Sequence, residues 1–231
     1  MSPLQSPLQS GLWVKICGLT QAPQAIAVAE HGASAIGFIG VAKSPRYVTP
    51  EQIQVISQAL IAAGHAQVAR VGVFADADIE DVATASAIAQ LTTVQLHGQE
   101  SPAWCAALRQ RMPHLGLMKA FRIRDRDDLA AIAAYESSVD AVLLDAYHPH
   151  LLGGTGHTLD WGTLQRFRPS VPWILAGGLT PENVGTALTS TAPNGIDLSS
   201  GVEIRPGDKD LDKVRRLFEA LGHCDRVGRV E

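Results

Sequence analysis

Two side chains in this sequence have the type and position to move protons. Cys17 closes the apolar run LWVKIC (12–17) and is followed by Gly18, which leaves room around the thiol. A cysteine serves as a base once nearby cations or backbone N–H groups bring its pKa below the unperturbed value of about 8.5. The bland reading of the same residue is a small buried hydrophobe. Asp145 ends Leu143-Leu144-Asp145-Ala146, where an aspartate behind two leucines is partly withdrawn from water and suited to donating a proton. A helix cap or a loop salt bridge would carry the same pattern.

Candidate binding residues lie at the ends of other apolar runs. Ala176-Gly177-Gly178 and Ser199-Ser200-Gly201 are small-residue turns that let backbone N–H groups and a helix N-terminus approach a phosphate. Gly153-Gly154-Thr155-Gly156, with Gly154 and Gly156 as its ligand-facing candidates, is a loop able to close over a ligand. Arg46, stiffened by the proline in Lys43-Ser44-Pro45-Arg46-Tyr47, offers a planar fork for a carboxylate, a bond contributing about 1.5–3 kcal/mol, or a surface salt bridge. Asp197 could accept from sugar hydroxyls or sit in a buried ion pair, and His97 could orient substrate or fill space. His148-Pro149-His150 lacks the further ligands of a metal centre, so no metal is expected. There is no phosphate-loop signature, nucleophile elbow or dinucleotide fingerprint, and no cofactor is expected.

The elements that must hold these residues follow from the apolar runs. Eight Val/Ile/Leu-rich runs recur: 12–17, 35–41, 70–75, 92–97, 116–121, 140–146, 173–178 and 195–200. Most are continuous rather than alternating, as in parallel strands covered on both faces. Helical spacing fills the intervals 22–30, 53–62, 79–91, 103–111, 129–135, 184–188 and 211–221. Thr49-Pro50-Glu51-Gln52 is a capping box with proline in the first turn, and Ser101-Pro102 and Thr180-Pro181 repeat the cap-plus-proline part. Eight β/α units in about 220 residues predict a single-domain (β/α)8 TIM barrel, with an open doubly wound sheet as the competing architecture.

Composition excludes other classes. With 46% hydrophobic residues in 231, the chain can bury a large core. A net charge of −4 supplies no global field for nucleic acid or an anionic membrane, so neither partner is expected. No apolar run approaches bilayer length and the first residues lack a signal-peptide pattern, which predicts a soluble, cytoplasmic protein. Cys17, Cys105 and Cys224 form no C-x-x-C pair, so an important cysteine acts singly. The repeat SPLQSPLQS predicts a disordered leader over 1–11, the barrel domain over 12–224 and a tail over 225–231.

The blocks VKICGLT, KSPRYVTPEQ, VGVF, VQLHGQE, KAFR, LLDAY…GGTGHTLDW, LAGGLTPENV and DLSSGVE…PGDKD, in this order and spacing, resemble the phosphoribosylanthranilate isomerase family. The resemblance covers most of the chain. It implies a (β/α)8 barrel, a phosphosugar substrate, a monomer or homodimer, and a cofactor-free Amadori rearrangement. It implies further that Cys17 is the general base and Asp145 the general acid. By the same resemblance Arg46 holds the anthranilate carboxylate, Gly177, Gly178, Ser200 and Gly201 bind phosphate, and Asp197 lies near the ribose hydroxyls. Departures are His157 in place of the family's usual lysine, Leu159 in place of phenylalanine, and Gly40 in place of a larger apolar residue. Neighbouring phosphate-binding barrels, the histidine-pathway isomerase and indole-glycerol-phosphate synthase, fit less well. The first has paired aspartates on a duplicated half-barrel, and the second relies on lysine and glutamate. An idle phosphosugar-binding module is the alternative outside the enzymes.

Overall fold

Each of the eight apolar runs forms a strand, and the strands close in sequential order into one parallel barrel. The computed structural model describes residues 4, 11–123, 126–146 and 161–227. The strands are β1 (Trp13–Cys17), β2 (Ala35–Ile39), β3 (Ala69–Phe74), β4 (Thr93–Leu96), β5 (Gly116–Ile123), β6 (Ala141–Ala146), β7 (Trp173–Ala176) and β8 (Gly195–Leu198). Closure comes from β8 pairing back onto β1, which sets Lys15 opposite Asp197. The open doubly wound sheet is thereby excluded.

Helices cover the outside: α1 (Ala22–Glu30), α2 (Pro50–Ala62), α3 (Ile79–Ala89), α4 (Pro102–Arg111), α5 (Arg126–Ala130), α6 (Trp161–Leu164), α7 (Val184–Thr191) and α8 (Leu211–Val227). The capping box of α2 forms as its sequence predicts: the Thr49 side chain accepts from the Gln52 N–H, and the Gln52 side chain accepts from the Thr49 N–H. Ser101 caps α4 by accepting from Trp104 N–H. Thr180-Pro181 does not start its helix. Asn183 accepts from Thr180 N–H and donates to the Gly178 carbonyl, a side-chain turn that delays α7 to Val184. The helix expected over 129–135 divides into α5 and a 3-10 turn at Ala131–Ala134, which carries Ile132 into the core. The four-residue α6 and an antiparallel hairpin, β9 (Glu203–Arg205) with β10 (Asp208–Lys209), were not anticipated. Among the described residues no helix is long and apolar enough to cross a membrane.

Strand alternation divides the core in two. Val14 and Ile16 pack outward with helix residues such as Val28, Ile53 and Leu217. Trp13 faces inward with Ala35, Val71, Met118, Leu143 and Ile174. Because successive strand residues point to opposite faces, Lys15 and Cys17 share the inner side with Trp13. The base of the barrel is thus apolar and its upper half polar.

The expected disordered leader contains one described residue, Leu4, and it is 1% exposed within the inner cluster. Gly116 makes the space: a Cβ there would lie 2.8 Å from Leu4 Cγ. Residues 1–3 and 5–10 lie outside the described residues. Leu4→Ala is expected to lower unfolding free energy by about 2–3 kcal/mol, measured by urea titration, as for other buried leucines. At the other end α8 continues to Val227, past the domain limit expected at 224.

Candidate active site

Cys17 ends β1 with 5% of its surface exposed, one inward position above Lys15. Lys15 is fully buried and its Nζ donates to Asp197 Oδ2 at 2.6 Å. Asp197 was open between sugar binding and a buried ion pair; it is 9% exposed and forms the ion pair. Burial pulls the Lys15 ammonium down, but the facing Asp197 carboxylate and Cys17 outweigh it and hold the group above its ordinary value. Burial pushes the Cys17 thiol up and the Asp197 carboxylate adds to it; the Lys15 and Lys209 ammonium groups pull the other way and offset only part, so the thiol stays above its ordinary value. Cys105 is the contrast, a thiol buried in the outer core and pushed by burial to about 11. Both cysteines are free.

Asp145 lies across the barrel on β6, its side chain one-third exposed. His97, just beyond β4, places Nε2 3.5 Å from Asp145 Oδ2, and its Nδ1 lies 3.3 Å from Gln95 Nε2. Gln95 and His97 are on the same inward face of one chain segment, so the strand sets the imidazole's approach to the carboxylate. His97 therefore has a defined partner rather than filling space.

Arg46 is engaged on one edge only. Its Nε donates to Glu203 Oε1 at 2.9 Å and its Nη2 to Glu203 Oε2 at 2.6 Å, while Nη1 makes no hydrogen bond among the described residues. Glu203 is nearly buried and also accepts from Lys209 Nζ at 2.7 Å and from Gly207 N–H. Burial pushes Glu203 up, but Arg46 and Lys209 together hold it below the usual carboxylate range. Lys209 in turn donates to the Cys17 carbonyl at 2.5 Å. The hairpin β9–β10 thereby ties the arginine loop to the end of β1. The salt bridge weighed for Arg46 exists, but with a buried partner, and it leaves the end-on pair of nitrogens for a second anion.

The two small-residue turns lie side by side after β7 and β8. Gly177 and Gly178 take φ of +88° and +64°, a left-handed pair that side chains resist. Ser200 and Gly201 open a 3-10 turn, Ser200–Val202, against the β7 turn. Gly40, the departure after β2, is filled from β3: a Cβ there would lie 2.9 Å from the Phe74 ring. Gly154, Gly156, His157, Leu159, His148 and His150 lie outside the described residues. Among the described residues no group of three His, Cys, Asp or Glu side chains could hold a metal.

A family model described as N-(5'-phosphoribosyl)anthranilate (PRA) isomerase matches residues 14–220. The chain belongs to the phosphoribosylanthranilate isomerase family. It is 58% identical to the N-(5'-phosphoribosyl)anthranilate isomerase of Synechococcus elongatus over 211 residues, 91% of this chain and 96% of that protein. A crystal structure of phosphoribosyl anthranilate isomerase from Thermotoga maritima superposes with a TM-score of 0.80 at 36% identity, covering 92% of this chain and 99% of that one. A phosphoribosyl anthranilate isomerase solved in complex with reduced 1-(o-carboxyphenylamino)-1-deoxyribulose 5-phosphate gives 0.78 at 35% identity, covering 91% of this chain and 99% of that one.

Within this phosphoribosylanthranilate isomerase fold, sequence reading missed Lys15, Gln95, Glu203 and Lys209. Lys15 carried a usable signal, since a lysine two positions before Cys17 in an otherwise apolar strand must share its face. Glu203 and Lys209 carried none alone. Their partners become visible only when the hairpin folds back onto β1 and the loop after β2.

Proposed function

We propose that this chain performs its family's isomerisation, the Amadori rearrangement of N-(5-phosphoribosyl)anthranilate to 1-(2-carboxyphenylamino)-1-deoxyribulose 5-phosphate. The observation that carries the reading is that Cys17 and Asp145, at the inward ends of β1 and β6, face one barrel mouth within a family match spanning nearly the whole chain. Asp145, protonated, donates to the furanose ring oxygen, and the ring opens to a protonated Schiff base. That positive nitrogen acidifies the C2 hydrogen. Cys17, as thiolate, removes it, and the enolamine formed relaxes to the ketone. His97 orients the Asp145 carboxyl from its Nε2.

The two ends of the substrate are held apart. Phosphate lies on the turns at Gly177-Gly178 and Ser200-Gly201, where small residues expose backbone N–H groups. The anthranilate carboxylate takes the end-on nitrogens of Arg46, whose side-on pair is spent on Glu203. Purified protein added to freshly formed phosphoribosylanthranilate should quench its fluorescence as substrate is consumed; an unchanged signal would reject the reading.

Arg46→Ala should raise KM by about 10-fold to 100-fold, because a charge-assisted bidentate contact is lost, with a smaller change in kcat. Glu203→Gln should do the same more weakly, since it frees the guanidinium to wander rather than removing it. An unchanged KM in Arg46→Ala removes the arginine from the site.

A further inference from the structure

The mechanism above leaves the buried charge of Lys15 unused. Lys15 is fully enclosed, and a lysine costs several kcal/mol to bury even when paired. Its pairing is also incomplete as a structural device: Asp197 Oδ2 is bound at 2.6 Å, but Oδ1 is buried without a hydrogen-bond partner. Below the pair the barrel interior is apolar, lined by Ala35, Met118, Leu143 and Ile174, and an apolar pair there would serve stability equally well. What the charge can reach is Cys17. Both side chains rise on the inner face of β1 and converge over Gly37 of β2, where a Cβ would lie 2.6 Å from Cys17 Sγ and 3.0 Å from Lys15 Cε. β2 therefore contributes no side chain at this point, and lysine and thiol share the vacated space.

We propose that Lys15 is a positioning residue for the isomerisation: its ammonium, clamped by Asp197 and sharing the space over Gly37 with the thiol, stabilises the charge that Cys17 carries when it takes the C2 proton. The proposal rests on the reading of Cys17 as the base. The charged groups around the thiol come from every neighbouring element. Lys15 on β1, Lys209 on β10 and Arg46 after β2 favour the thiolate, whereas Asp197 on β8 disfavours it. Asp145 on β6 and His97 after β4 act on Asp197 from the far side. Lys209 is committed to the Cys17 carbonyl and to Glu203, and Arg46 to Glu203. Lys15 alone among these cations shares with the thiol the space over Gly37. In a buried cavity such a neighbour is felt more strongly than it would be in water.

The test reads the thiol itself. Ultraviolet thiolate absorbance is titrated in the protein and in Cys17→Ser, and the difference isolates Cys17 from the other cysteines. The titration is repeated in Lys15→Met and in Lys15→Met/Asp197→Asn, the second of which leaves no lone buried charge to unfold the barrel. In both, the Cys17 midpoint should move up by about one unit or more, and kcat at neutral pH should fall at least about tenfold and recover toward alkaline pH. In Lys15→Met, which leaves Asp197 in place, KM should stay within about threefold. An unmoved midpoint, or a loss of kcat equal at every pH, would overturn the role of Lys15. Full turnover in Cys17→Ser would instead remove the base assignment beneath it.

Discussion

Cys17→Ser should lower kcat by about 10²–10⁴ while leaving KM within a few-fold, and Asp145→Asn should do the same. A serine hydroxyl in the place of Sγ is smaller than the thiol and fits the same space beside Lys15, so the fold and substrate binding survive. It is far too weak a base to take a carbon-bound proton. Asparagine keeps the shape of Asp145 and its contact with His97 but has no acidic proton to give to the ring oxygen. The two residues serve consecutive steps on one substrate, so the double variant should lose little beyond the worse single one. Stopped-assay kinetics at saturating and limiting substrate separate the two parameters. Near-wild-type turnover in either variant would discard that residue's role.

Gly201→Ala should be the most damaging change that touches no titratable group. A Cβ on Gly201 would lie 1.9 Å from the Leu179 carbonyl oxygen and 3.0 Å from its carbon, and both obstacles are backbone. No rotamer can relieve this contact. The turns after β7 and β8 must part by more than an ångström, which separates the N–H groups that converge on the phosphate. Overpacking of this kind costs about 1–3 kcal/mol of stability. The KM should rise by about tenfold or more, with the larger fraction of the loss in binding rather than in kcat. Equilibrium unfolding together with KM tests both parts; wild-type values of each would show that the turns are not held by this contact.

The barrel was legible because its strands are nearly unbroken apolar runs, which only a doubly covered parallel sheet requires. Cys17 and Asp145 stand out in the sequence as candidates because they interrupt such runs at their ends, where a barrel exposes its chemistry. Lys15 and Asp197 were not legible as a pair. They are separated by almost the whole chain, and their meeting depends on the closing register of β8 on β1. The same holds for Arg46, whose fork reads as free in sequence and is half committed to Glu203 in the fold. The hairpin carrying Glu203 and Lys209 had a signal in Pro206-Gly207, a turn pair with Gly207 at φ +81°, lost beside the stronger helix that follows. Thr180-Pro181 misled for a physical reason: the same residues that cap a helix also make side-chain turns, and Asn183 settles the competition here.

Leu4 precedes β1 in the chain, yet the glycine that gives it room, Gly116, arrives only with β5. The floor of the barrel is consequently sealed by a residue that precedes β1, and the seal can close only once β5 is in place.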